Sequence, residues 1–238
     1  MGCVSVGEAG WVATGGSVAV GAAPGPVHAA SSARIGAVLA NNLVVLLFFW
    51  EGILLTLFLM ILLGRAGAWR TSVKAVILVG LTDLCMMLGI GMTAHLAGTL
   101  EMDQIRLPMD GMGSAAFILL VVGALGKAGA MPFHTWIPDA ADDAPMPFMA
   151  LLPAALEKLL GIYLLMRVCV DLFTFAPGSP LSTTLMAIGA ATILFAVMMA
   201  LIQKDFKRLL SYHAISQVGY MILGIGTALP VGVIGGLF

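Results

Sequence analysis

Charge is what this chain has least of. Of its 238 residues, 11 are Lys or Arg and 12 are Asp or Glu, 10% in all, while 61% are hydrophobic. A soluble domain carries about 25% charged and about 45–50% apolar residues. This chain has too little polar surface to dissolve, which excludes a soluble-type enzyme. Its net charge of −1 leaves no basic footprint for nucleic acid. Cysteine is equally scarce. Cys3, Cys85 and Cys169 lack the spacing of a zinc, iron–sulfur or redox motif and read as small apolar fillers. There is no glycine-rich phosphate loop. His95 and His213 fall near opposite membrane faces, and His134 falls in a loop, so no pair is placed to hold a haem. The expectation is a chain with no metal, cofactor or catalytic centre of its own.

What the chain has in abundance is apolar runs of about 20 residues, the length that crosses a bilayer. Six are expected to be spans: Asn42–Leu63, Ala75–Ala97, Met112–Met131, Phe148–Val170, Thr183–Gln203 and Leu209–Leu229. The runs are continuous and lack period-two alternation, so they predict helices rather than barrel strands. The fold class expected is all-α, a polytopic transmembrane bundle of about six to seven spans. Residues 1–34 form a poorly defined N-terminal segment, and 35–238 form the transmembrane domain. Met1–Ala40 is rich in Gly, Ala, Ser and Val and is interrupted by Pro24 and Pro26, with Ser32–Ala40 as a candidate tail of a further helix. A cleaved signal peptide needs a basic region before its apolar stretch, and only Glu8 is charged there. Position six is Val rather than Ser or Thr, which argues against myristoylation. Lys and Arg in short loops mark the cytoplasmic side. Arg65, Arg70 and Lys74, then Lys204, Lys207 and Arg208, place both of their loops there, and 132–147 with them.

The few charges inside the spans point to function. Glu51 and Asp83 fall near the middle of their runs, Lys127 lies late in its own, and Glu157 and Lys158 share a fourth. Each central charge costs about 2.5–3.5 kcal/mol on insertion scales, and such residues mark ion paths. Static ion pairs between helices are the plain alternative. The other reading is a proton relay, in which a carboxylate that moves or neutralises switches a lysine between its charged and neutral forms. Glu157 and Lys158 project about 100° apart on a helix and cannot both face one neighbour. Lys158 is the expected relay member, with Glu157 as its tuner or a packing partner. Pro132, Pro138, Pro145 and Pro147 break the segment 132–147. Such backbone at membrane depth lines water or is buried in protein. The alternative is an ordinary loop with Trp136 as an interfacial anchor. His134 either hydrates the path or caps a helix. His213 sits among Ser211, Tyr212, Ser216 and Gln217, a polar face suited to ordered water.

Two stretches resemble signatures of the antiporter-like proton-translocating membrane subunits. Gly126-Lys-Ala-Gly-Ala-Met-Pro-Phe-His-Thr-Trp-Ile-Pro-Asp139 resembles their seventh helix. Gln203-Lys-Asp-Phe-Lys-Arg-Leu-Leu-Ser-Tyr-His-Ala-Ile-Ser-Gln-Val-Gly-Tyr220 resembles their tenth, with wording around His213 most like the hydrogenase and Mrp-like branches. Asn42 to Glu51, ending Phe-Phe-Trp-Glu, is similar to the fifth. The family includes proton-pumping subunits of complex I (NADH-quinone oxidoreductase), Mrp-type sodium/proton antiporter subunits and membrane subunits of energy-converting hydrogenases. The resemblance implies part of a fourteen-helix fold, helices five to ten, with a broken helix near 127–147. It implies that Glu51 and Lys127 pair to gate protonation, that Lys158 passes protons along a hydrated axis, and that Asp83 is an acidic position on the sixth helix. The site residues expected on the proton pathway are Glu51, Asp83, Lys127, His134, Glu157, Lys158 and His213.

The function implied is translocation of protons or sodium in a multi-pass protein of the bacterial or archaeal type plasma membrane. The partners implied are the lipid bilayer and the other membrane and peripheral subunits of a redox or antiporter complex. The sequence lacks counterparts of the family's first three helices and of its twelfth-helix lysine or glutamate, so the expectation is a fragment, split gene product or truncated relative. A non-conducting scaffold and a free-standing secondary transporter with a broken midplane helix are the competing readings.

Overall fold

A computed structural model describes residues 26–145, 148–149 and 157–237. Within them the chain is helical, with isolated bridges only. The helices are α1 (Pro26–Leu39), α2 (Leu43–Leu62), α3 (Trp69–Ala97), α4 (Gly111–Ala128), α5 (Trp136–Asp143), α6 (Glu157–Arg167), α7 (Pro180–Leu201), α8 (Phe206–Gly226) and α9 (Pro230–Leu237). A short 3-10 turn, Phe133–Thr135, precedes α5, and a π turn, Val168–Leu172, extends α6.

Local sequence explains where the helices start. Asn42 caps α2 by accepting from Val44 N at 2.9 Å, and Asp110 caps α4 by accepting from Gly113 N at 2.8 Å. Ser179 caps α7 ahead of Pro180, and Asp205 caps α8 by accepting from Lys207 N at 2.8 Å. Each cap satisfies an amide that the first helical turn leaves free. Gly129 ends α4 in the left-handed region, at φ 74°, where glycine carries no steric penalty.

Among the described residues, four stretches are long and apolar enough to cross a membrane: Leu43–Leu62, Trp69–Ala97, Gly111–Asp143 and Pro180–Leu201. The third includes a break, because the helix of the expected span Met112–Met131 ends early, at Ala128. The expected span Phe148–Val170 is seen at Phe148–Met149 and from Glu157 onward; Pro147 and residues 150–156 lie outside the described residues. Helix α8 is long enough, with 21 residues, but its first half carries Lys207, Arg208, Ser211, His213 and Ser216, followed by Gln217. Helix α1 confirms a helix before residue 40 and runs across position 34, where the expected domain division falls. The rest of the N-terminal segment, residues 1–25 with Cys3, lies outside the described residues.

The packing is inverted relative to a soluble protein. Phe48, Leu55, Ile77, Leu84 and Leu194 are exposed on the outer surface, while Asp83, Lys127 and Glu157 are buried. Apolar side chains turned outward need lipid around them, and ionisable ones turned inward make the candidate site. Helix α2 packs on α3, α3 on α4 and α4 on α6, so α4 lies between α3 and α6. Helices α7 and α8 form a second closely packed pair, joined to the first group through α5 and α6.

Candidate functional site

Asp83, halfway along α3, is only 2% exposed, and Lys127, in the last turn of α4, only 1%. Lys127 Nζ lies 3.3 Å from Asp83 Oδ2. Trp50 of α2, fully buried, donates from Nε1 to Asp83 Oδ1 at 2.7 Å. The Lys127 ammonium also lies 5.1 Å from the centroid of the Trp50 ring. Three helices thus meet through one carboxylate, one ammonium and one indole.

Two more carboxylates stand around this pair. Glu157, at the start of the described part of α6, is 1% exposed. It lies within electrostatic reach of both Lys127 and Asp83. Neither of its oxygens has a hydrogen-bond partner among the described residues. Glu51 is half-buried on α2, also within electrostatic reach of Asp83 and Lys127. Its Oε1 likewise has no hydrogen-bond partner among the described residues. Glu51 lines a mostly apolar groove of about 730 Å³ with Ser32, Phe48, Phe49, Leu55 and Met87.

Small residues permit this approach of backbones. A Cβ on Gly126 would stand 2.0 Å from Thr82 Oγ1, and one on Gly161 would stand 2.5 Å from Ala128 N and 2.6 Å from Ala124 O. Gly126 brings α4 onto α3 beside Asp83, and Gly161 brings α6 onto α4 beside Lys127. Trp50, Gly126 and Gly161 belong to the site although a search for charge passes over them. The signal available for Trp50 was its place beside Glu51, as the indole in a run of aliphatic and phenylalanine side chains.

The structure gathers four of the seven expected residues, Glu51, Asp83, Lys127 and Glu157, and leaves three outside. The partner of Lys127 is Asp83, not the expected Glu51, because α2 turns Trp50 inward and Glu51 toward the groove. Glu157, not the preferred Lys158, joins the cluster. Lys158 is half-buried and makes no ion pair among the described residues. His213 is exposed, and the hydroxyls around it serve their own helix: Ser211 Oγ donates to Arg208 O and Ser216 Oγ to His213 O, each at 2.7 Å. His134 is half-buried in the 3-10 turn, and its Nδ1 has no partner among the described residues.

The open choice over 132–147 is resolved for the described residues. Residues 133–143 are a broken helical segment, and Trp136 is fully buried rather than an interfacial anchor. Three aspartates hold α5 in place. Asp143 pairs with Arg65 at 2.6 Å and accepts from Thr71. Asp139 pairs with Lys74 at 2.6 Å and Arg208 at 3.4 Å, and Asp142 pairs with Arg208 at 2.9 Å. Lys74 also donates to Thr135 O at 3.0 Å. The basic residues Arg65, Lys74 and Arg208 and the segment 133–143 therefore share one end of the molecule.

Residues 40–238 match the family described as NADH:quinone oxidoreductase/Mrp antiporter, TM. Among curated relatives, the chain is 32% identical over 210 residues to a Na(+)/H(+) antiporter subunit of Alkalihalophilus pseudofirmus, covering 85% of this chain and 42% of the relative. It is 34% identical over 198 residues to a subunit of the NADH-quinone oxidoreductase of Pseudomonas aeruginosa, covering 79% and 32%. The chain thus spans less than half the length of these relatives. Among solved structures, a chain of the Mrp complex from Dietzia sp. superposes with a TM-score of 0.80 at 26% identity, over 88% of this chain and 23% of that one. A chain of respiratory complex I from Thermus thermophilus gives 0.80 at 24% identity, over 88% and 45%, a likeness of fold.

Proposed function

Because the chain belongs to the NADH:quinone oxidoreductase/Mrp antiporter transmembrane family, we propose that it is an ion-translocating membrane subunit, carrying protons or sodium. It works within a redox-driven complex, such as an NADH-quinone oxidoreductase or membrane-bound hydrogenase, or within an Mrp-type antiporter. Its partners are the other membrane and peripheral subunits of that complex in a bacterial or archaeal type plasma membrane, and any electron-transfer groups reside in those partners.

The observation that carries this reading is Glu157. A static brace explains the pairing of Asp83 with Lys127, but it does not explain a second buried carboxylate, without a hydrogen-bond partner among the described residues, beside a lysine already paired. Three carboxylates lie within electrostatic reach of one ammonium, so full ionisation would leave two negative charges uncompensated. Uncompensated buried charge is costly, and the cluster relieves it by taking up protons. When Lys127 leaves Asp83 for another carboxylate, the proton count of each changes, and this coupling moves a proton through the core.

Glu157→Gln tests the mechanism with little change of shape. Proton translocation, followed by dye quenching in inverted membrane vesicles, is expected to fall at least tenfold with the chain still present in the membrane. Lys127→Ala is expected to abolish it. Loss of both variants from the membrane, or full activity of Glu157→Gln, favours the scaffold reading instead.

A further inference from the structure

Trp50 carries no charge, yet it touches two members of the cluster. Its Nε1 holds Asp83 Oδ1 at 2.7 Å, while Lys127 Nζ takes Oδ2 at 3.3 Å. The ammonium, in turn, lies 5.1 Å from the indole centroid, within range of a cation–π contact. Each of the three groups therefore contacts the other two. A phenylalanine would supply the ring face without the donor, and a leucine would supply neither.

The position of Trp50 also decides where Glu51 goes. The two are adjacent on α2 and project about 100° apart. Trp50 faces inward with no exposure, and Glu51 opens onto the apolar groove. Asp83 on α3 and Lys127 on α4 meet at this point, and Glu157 on α6 and Glu51 on α2 lie within electrostatic reach of both. We propose that Trp50 is a positioning residue that holds Lys127 on Asp83 rather than on Glu51, and so sets which carboxylate the lysine must leave during translocation. This deepens the ion-translocation reading and rests on it for its functional consequence.

The test compares Trp50→Phe, Asp83→Asn and the double variant in the chain's native membrane. Losing a hydrogen bond to a charged acceptor should slow translocation about ten- to hundredfold in Trp50→Phe, with the amount of chain in the membrane unchanged. Because Trp50 acts through Asp83, adding Trp50→Phe to Asp83→Asn should cost nothing further. Multiplying effects overturn the proposal, and so does an unchanged rate in Trp50→Phe. Infrared difference spectroscopy supplies a readout that needs no transport. The carboxylate band lost in Asp83→Asn should shift in Trp50→Phe, and a band that stays in place overturns the proposal. If Trp50→Phe fails to accumulate, the indole N–H band of Trp50 read in Asp83→Asn decides: it must move toward a weaker hydrogen bond. A wild-type chain that translocates nothing would sink the translocation reading, while the infrared band would still decide the contact itself.

Discussion

At the scale of single residues, the site depends as much on what glycine omits as on what charged residues contribute. Lys127 reaches Asp83 because Gly126 lets α4 lie against Thr82, and Glu157 comes within electrostatic reach of both because Gly161 lets α6 lie against Ala124 and Ala128. At Gly161 the obstruction is backbone, which cannot swing aside as a side chain can. Gly161→Ala should therefore overpack the junction and destabilise the protein by about 1–3 kcal/mol. Gly80, on α3, has open space where its Cβ would be. Gly80→Ala should be neutral or gain up to about 1 kcal/mol, as helix propensity predicts. Thermal unfolding in mild detergent compares the two; equal behaviour would mean that close approach at Gly161 does not set the geometry.

At the scale of elements, α5 is the piece whose placement depends on polar contacts. It is short, follows a proline-broken stretch, and is fastened at three aspartates by Arg65 from the α2–α3 loop, Lys74 from α3 and Arg208 from α8. These pairs are partly exposed, so each one contributes little, about 0–1 kcal/mol. Asp139→Asn alone should change backbone hydrogen exchange of residues 133–143 only slightly. Replacing Asp139, Asp142 and Asp143 together should raise it strongly while leaving α3 protected. No change in the triple variant would show that the buried face, Trp136, Ile137 and Ala140, is enough to hold the segment. Glu51, Asp83, Lys127 and Glu157 were legible in the sequence because a charge inside an apolar run stands out by its insertion cost. Their pairing was not, because it depends on rotation about each helix axis, and a span that is apolar on every side gives no phase. The same ambiguity hid the outward turn of His213 and favoured Lys158 over its neighbour. Trp136 was ambiguous for another reason: proline and aromatic composition fits an interfacial loop and a buried broken helix equally well.

At the scale of the whole molecule, the ion-pair network bears on orientation in the bilayer. Arg65, Lys74 and Arg208 meet at one end around α5, while Asn41, Asn42, Glu101 and Asp103 gather at the other. There, Asn42 Nδ2 donates to Glu101 Oε1 at 2.8 Å and Asn41 Nδ2 to Asp103 Oδ1 at 2.9 Å. Basic residues in short loops remain on the cytoplasmic side during insertion, whereas acidic ones contribute little. The end with Arg65, Lys74 and Arg208 should therefore face the cytoplasm, even though Asp139, Asp142 and Asp143 lie there too. Arg70 and Asp103 are exposed at the two ends and make suitable reporters. With Cys3, Cys85 and Cys169 replaced by serine, Asp103→Cys should react with a membrane-impermeant maleimide on intact cells. Arg70→Cys should react only after the cells are opened. The reverse pattern would place the α5 end outside, and labelling of both on intact cells would mean that the chain does not hold a single orientation. For the proposed ion-translocating role a fixed orientation matters, because the cluster of Asp83, Lys127 and Glu157 would move charge in a defined direction only if the two ends of the molecule meet different compartments.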